Sequence, residues 1–258
     1  MNDFAGVTAR LKEAGIESPR LEARVLLNHA QGDQLEALIQ RRCTREPLAY
    51  LLGEKEFWSL SFAVGPGALI PRPETETLIE AALKNFPNGE MALNILDLGT
   101  GSGCLLLTLL RLYPRAKGIG VDASPEALQW ASKNASRLGV EDRCKLQSGN
   151  WSEGLGGRFD LILCNPPYVT HGEMAGLAPE LAFEPASALD GGEDGLDAYR
   201  ALIPQLRGVL APGGVVLLEI GANQARAVTD IFRRSGPCVS TVLTDLAGRD
   251  RGIEARLP

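Results

Sequence analysis

Helical spacing dominates the start of the chain. Leu11, Ala14, Leu21, Val25, Leu35, Leu38 and Ile39 recur among charged positions, with breaks at Pro19 and Gly32, which predicts a small helical bundle. Pro47, tolerated in a first helical turn, and Gly53, following Leu51 and Leu52, bracket one more short helix. The period then changes. Phe57, Leu60, Phe62 and Val64, between Gly53 and Gly65-Pro66-Gly67, predict a hairpin or extended linker, so the chain is expected to divide into residues 1–53, 54–73 and 74–258. From Glu74 the helical run ETETLIEAALKNF leads into an alternation of short apolar runs and longer amphipathic ones. Strands are predicted over 94–98, 118–122, 143–147, 160–164, 215–219 and 239–244, and helices over 104–112, 125–138, 196–210 and 223–235. This pattern predicts an α/β fold, a doubly wound and mostly parallel sheet with helices on both faces, which takes ligands beyond the carboxyl ends of its strands.

At 258 residues, 45% hydrophobic and 22% charged, the chain can bury its own core, and the composition excludes disorder and collagen-like repeats. Lys and Arg number 26 against 32 Asp and Glu, a net charge of -6, so nothing global draws the chain to nucleic acid or to an acidic membrane. The opening MNDFAGVTARLKEAG lacks the apolar core of a signal peptide, and no stretch nears the ~18 apolar residues of a spanning helix, so a soluble protein is expected. Cys43, Cys104, Cys144, Cys164 and Cys238 form no C-x-x-C pair and read as reduced thiols of a cytoplasmic protein. His29 and His171 are too few for a metal site, and none is expected. Arg41, Arg42 and Arg45 read as a solvated helix face, with contact to an acidic partner surface as the alternative.

Two motifs carry chemistry. The run Asp97-Leu98-Gly99-Thr100-Gly101-Ser102-Gly103-Cys104 follows a strand and opens a helix, so its glycines permit a tight turn and close approach of backbone to a ligand. Cys104 stands where a dinucleotide fingerprint places its last glycine, which weakens a nicotinamide reading. Asp122 ends the next strand, 23 positions after Gly99, where a carboxylate can accept both hydroxyl protons of a ribose. Trp151 offers a face to a nucleobase, or is an ordinary half-buried Trp.

The second motif, Asn165-Pro166-Pro167-Tyr168, directly follows the strand over 160–164. Its prolines end the strand and stiffen the backbone. The Asn165 side-chain carbonyl and the Pro166 main-chain carbonyl can both accept from one NH2 group, while Tyr168 supplies a flat face for a planar amide or base. An amide nitrogen is a poor nucleophile until it is oriented, so the task such a platform performs is positioning. Cys164 alternates away from the Asn165 face and is not read as a nucleophile.

At these motifs the chain resembles the class I S-adenosylmethionine-dependent methyltransferases that carry N-P-P-Y, and within them the glutamine N5-methyltransferases of peptide chain release factors. The resemblance extends over Glu46-Pro47-Leu48, Ile70-Pro71-Arg72-Pro73-Glu74-Thr75-Glu76, DLGTGSG, VDASPEAL, NPPY, Glu184-Pro185, GGEDGLDAYR and LEIGANQ. It implies a seven-stranded Rossmann-like sheet and methyl transfer from S-adenosyl-L-methionine, leaving S-adenosyl-L-homocysteine, to the Gln of the Gly-Gly-Gln motif in class I release factors. By position it implies cofactor contacts at Asp97, Gly99, Thr100, Gly101, Ser102, Gly103, Asp122, Asn150, Trp151 and Asn165. Asp97 is read either against the methionine amino group or as a cap for local backbone donors, and Asn150 stands where many relatives carry Asp. Asn165, Pro166, Pro167 and Tyr168 are implied as catalytic and substrate-binding, with Glu184 as a further substrate contact. Arg72 and Glu74 are expected to border the cofactor, with an ion pair inside their own loop as the alternative.

Residues 170–197, long for a connection, are expected to form a lid that orders on substrate binding, and the N-terminal helices to grip the release factor. The expected partner is thus a protein, with no stable nucleic acid, no membrane and a monomeric enzyme. Two rivals share NPPY: a glutamine methyltransferase of a ribosomal protein, and an adenine-N6 DNA methyltransferase acting on a flipped base. The acidic balance argues against the second.

Overall fold

The computed structural model describes residues 3–236 and 238–256. Four helices come first: α1 (Phe4–Glu13), α2 (Pro19–His29), α3 (Gly32–Cys43) and the short α4 (Leu48–Leu52), which Pro47 caps and Gly53 ends in the left-handed conformation. Val7, Leu11, Ile16, Ala23, Leu26, Leu35, Leu38 and Ile39 form a core cluster of their own. Leu21, expected in that core, is 63% exposed. It lies two residues, about 200° of helical turn, from Ala23, so the buried face of α2 runs through Ala23 and Leu26 instead.

The expected hairpin is present as β1 (Glu54–Phe57) and β2 (Leu60–Ala63), turned at Trp58 and Ser59, whose φ angles of 51° and 57° suit the strand twist. A 3-10 turn, Pro73–Thr75, leads into α5 (Glu76–Asn85). There follow β3 (Asn94–Leu98), α6 (Cys104–Leu112), β4 (Lys117–Asp122), α7 (Pro125–Arg137), β5 (Cys144–Ser148) and β6 (Phe159–Cys164). The short α8 (His171–Met174) and two 3-10 turns, Pro179–Phe183 and Ala186–Ala188, fill the long connection to α9 (Asp197–Leu206). The remainder is β7 (Leu210–Glu219), α10 (Ala225–Arg234), β8 (Val239–Thr244) and β9 (Asp250–Arg256). Helix α9 stops at Leu206, short of the expected 210, because Leu210 already pairs with Phe159 across the sheet.

The seven strands run in the order β5-β4-β3-β6-β7-β9-β8, parallel except for β9, which is antiparallel to both neighbours. Alternation along the central strands feeds two cores. Ile95, Leu161, Leu163, Val215 and Leu217 pack with residues of α5 and α6, while Leu96, Ile162, Cys164, Val216 and Leu218 pack on the other face with Tyr199, Leu202, Ile203 and Phe232 of α9 and α10. The strand order reverses between β3 and β6, which opens a crevice at their carboxyl ends.

Candidate active site

The glycine loop, Asp122, the NPPY platform and Glu219 all stand at that crevice, respectively after β3, at the end of β4, after β6 and at the end of β7. Gly99, Gly101 and Gly103 each have positive φ, as the turn from β3 into α6 requires. The loop spends its amides internally. Gly99 N and Thr100 N donate to the Val121 carbonyl at 2.8 and 3.0 Å, and Gly101 N donates to Asp122 Oδ2 at 2.8 Å. These three groups are therefore not available to a pyrophosphate, a physical reason beyond Cys104 for setting aside a dinucleotide. Asn134 of α7, fully buried and not singled out in the sequence, holds the loop from behind by donating to the Ser102 carbonyl at 2.9 Å.

A cavity runs along this loop, walled by Gly99, Gly101, Asp122, Asn150, Trp151 and Asn165, with Pro167 and residues 67–69 opposite. A Cβ built on Gly99 would project toward the Trp151 ring, 3.7 Å away, and the Asn165 carbonyl, 4.0 Å away. Asp122 Oδ1 accepts from Ser124 N at 2.9 Å, so each carboxylate oxygen holds one amide and keeps a second lone pair. Asn150 donates its Nδ2 to Glu153 at 3.0 Å, which leaves its carbonyl oxygen as the free end.

Four expected cofactor residues do not line the cavity: Asp97, Thr100, Ser102 and Gly103. Gly103 is required by the turn instead, since its φ of 84° is one that other residues rarely adopt. Thr100 is buried and donates to Asp97 Oδ2 at 2.7 Å. Asp97 Oδ1 and Ser102 Oγ are buried with no hydrogen-bond partner among the described residues. Burial pushes the Asp97 carboxyl up to about 7 against the opposing Thr100 hydrogen bond.

A second cavity lies on the far side of Asn165, lined by Pro166, Tyr168, Val169, Leu177, Leu181, Leu189, Arg72 and Glu219. Leu69, Asn165 and Ala188 belong to both. Asn165 Nδ2 donates to Thr75 Oγ1 at 3.2 Å, Thr75 Oγ1 donates to Glu219 Oε2 at 2.6 Å, and Tyr168 Oη donates to Glu219 Oε1 at 3.1 Å. Burial pushes the Glu219 carboxyl up to about 7, against those two hydrogen bonds, and pushes the Tyr168 hydroxyl up as well. Neither Thr75 nor Glu219 stood out in the sequence. Each lies inside a motif run, but their partners are far away along the chain.

Three expectations need correction. Glu184, expected at the substrate, lines neither cavity: it is buried, accepts from Ile70 N at 2.9 Å and pairs with Arg72, because a buried carboxylate needs close donors. Arg72 consequently faces the second cavity rather than the cofactor side, and exposed Glu74 lines neither. In the Arg41, Arg42, Arg45 cluster, exposed Arg41 keeps the expected solvated face, whereas Arg42 and Arg45 turn inward to ion pairs. Arg42 is 4% exposed between Glu22 and Glu180, at 2.5 and 3.0 Å, Arg45 joins Glu180 at 2.8 Å, and Arg41 pairs with Glu46. The 170–197 segment is accordingly pinned at Glu180 and Glu184 and bridged through Val169 and Asp190. Cys164 is fully buried, and its thiol is pushed well above its ordinary value by that burial.

Comparison with known proteins decides the family. A methyltransferase domain model matches residues 90–243, and a PrmC N-terminal domain model matches residues 29–53. A release factor glutamine methyltransferase of Rhodospirillum rubrum is 44% identical over 96% of this chain and 82% of its own. One from Cereibacter sphaeroides is 45% identical over 96% and 95%. The chain belongs to the release factor glutamine methyltransferase family. The family's fold is also that of more distant solved structures. Among them is a ribosomal protein L11 methylase from Lactobacillus delbrueckii subsp. bulgaricus, 24% identical, covering 75% of this chain and 83% of that one with a TM-score of 0.53. No helix among the described residues is long and apolar enough to cross a membrane, and no group of metal-ligating side chains is gathered there.

Proposed function

We propose that this chain methylates the side-chain amide nitrogen, N5, of the glutamine in the Gly-Gly-Gln motif of class I peptide chain release factors, with S-adenosyl-L-methionine as donor and S-adenosyl-L-homocysteine as product. The observation that carries the reading is the place of Asn165 on the wall common to the two cavities, with a free carboxamide oxygen. The cavity along the glycine loop fits the cofactor: Gly99 leaves room that a Cβ would fill, Asp122 offers acceptor capacity for ribose hydroxyls, and Trp151 and the Asn150 carbonyl suit adenine. Asp97, with one orphaned oxygen behind the loop, suits the methionine amino group. When bound, the cofactor supplies an electrophilic methyl carbon on a sulfonium centre.

The remaining work belongs to the second cavity. Asn165 Oδ1 and the Pro166 carbonyl, which takes no hydrogen bond among the described residues, accept the two protons of the substrate NH2 and turn its lone pair toward the first cavity. The Tyr168 ring backs the amide plane. Alignment of this kind contributes on the order of 7 to 11 kcal/mol. The methylated nitrogen, while it still carries both protons, is acidic enough to give one to water, so the site needs no strong base. Residues 1–53 are read as the part that recognises the release factor, 54–73 as the linker and 74–258 as the methyltransferase region. The same reading makes the protein a cytoplasmic monomer without a membrane or stable nucleic-acid partner.

The test is to incubate the protein with labelled cofactor and a purified class I release factor, alongside its Gln→Ala variant in Gly-Gly-Gln, and to locate the label by mass spectrometry. Label on that glutamine alone is expected; label on the Ala variant, or none on the parent, would overturn the reading.

A further inference from the structure

We propose that Thr75 and Glu219 are positioning residues that fix which end of the Asn165 carboxamide meets the substrate, and that this makes the pocket choose an amide over a carboxylate. The inference rests on the reading of Asn165 as the acceptor for the substrate NH2. A carboxamide has two ends of nearly equal shape and opposite hydrogen-bonding sense, so something must choose between them. The hydrogen-bond chain does so here while Glu219 is ionised. A hydroxyl has one proton, and Thr75 gives its proton to Glu219 Oε2 at 2.6 Å. Toward Asn165 it therefore presents only lone pairs, and the group 3.2 Å away must be the donor end, Nδ2. Oδ1 is thereby released for the substrate.

The relay is held in that direction from behind. While ionised, Glu219 also accepts from Tyr168 Oη at 3.1 Å on its other oxygen, and these two donors favour the ionised form against its burial. Thr75 and Glu219 are 2% and 1% exposed, which keeps water from substituting for either member. The main chain is fixed as well: Tyr199 Oη donates to the Glu219 carbonyl at 2.9 Å, and Gln224 Nε2 to the Tyr168 carbonyl at 3.1 Å. Thr75 itself ends the 3-10 turn that opens α5, behind Pro71 and Pro73.

Selectivity follows from the signs. A glutamine side chain brings an NH2 to an oxygen-lined pocket and finds two acceptors. A glutamate side chain brings a carboxylate to the same acceptors, in a cavity that Glu219 also lines, and leaves them unpaired. Were Asn165 reversed, its NH2 would instead welcome the carboxylate.

The test uses the full chain with Thr75→Val, which keeps the shape and removes the hydroxyl, and Thr75→Ser, which restores it. Steady-state methylation of a class I release factor is measured, with calorimetric cofactor affinity and inhibition by the same release factor carrying Gln→Glu in Gly-Gly-Gln. In Thr75→Val, kcat is expected to fall about tenfold or more while cofactor affinity stays within about twofold. The preference for the Gln over the Glu protein is expected to shrink about tenfold in that variant and to return in Thr75→Ser. Parental kcat or parental selectivity in Thr75→Val overturns the relay. So does a loss of cofactor affinity that Thr75→Ser fails to restore, since that marks a purely structural role. An inactive parent protein would instead sink the underlying reading of Asn165, and the two failures are thus distinct.

Discussion

The two cavities that meet at Asn165 are built in opposite ways. In the one along the glycine loop the hydrogen bonds join adjoining segments: Gly101 N and Ser124 N donate to Asp122, and Gly99 and Thr100 to Val121, all at the carboxyl ends of β3 and β4. The other is assembled from afar, with Thr75 reaching Asn165 across 90 positions and Glu219 across 144. The first therefore works as a shaped slot of backbone and one carboxylate. The second works as a network in which each polar group sets the direction of the next. A slot tolerates loss of an edge, whereas a network loses its sense when one proton is misplaced.

The sharpest break in this contrast is Asn165→Ala. It is expected to lower kcat by about a thousandfold, because both orientation and transition-state contact are lost, while calorimetry finds cofactor affinity little changed. Asp122→Ala should do the reverse. It removes the ribose acceptor and strands two loop amides, so cofactor binding should weaken by about 30-fold or more, with turnover largely recovered at saturating cofactor. Equal affinity in that variant would take Asp122 out of the site.

The smallest effect sharpens the comparison through stability. Burial raises the Asp97 carboxyl from 3.8 to about 7, so the folded state binds a proton that the unfolded chain has already released. Its contribution to stability is full below pH 4 and is lost as pH rises to about 7. Relative to the parent, Asp97→Asn should thus gain on the order of 1 kcal/mol in urea unfolding between pH 6 and pH 8.

These differences also govern what could be read from the sequence. Gly99, Gly101, Asp122 and the NPPY platform act through near neighbours and through the strand ends that carry them, so spacing alone located them. Thr75, Asn134 and Glu219 look like ordinary helix or strand polar residues until the fold brings their partners in, and no local pattern marks such a meeting. Arg42 misled for the same reason, since Glu180 is 138 positions away. Strand β9 escaped because DRGIEAR alternates weakly; its antiparallel place between β7 and β8 is set by the sheet, which buries only Gly252, Ile253 and Ala255 along it.

Glu180 carries one last implication. It joins Arg42 and Arg45 of the N-terminal helical region to the very turn, Pro179–Phe183, that presents Leu181 to the second cavity. A single carboxylate thus acts as a tie-rod between the outlying helices and the rim of the pocket. The helices could not part from that rim without breaking both ion pairs.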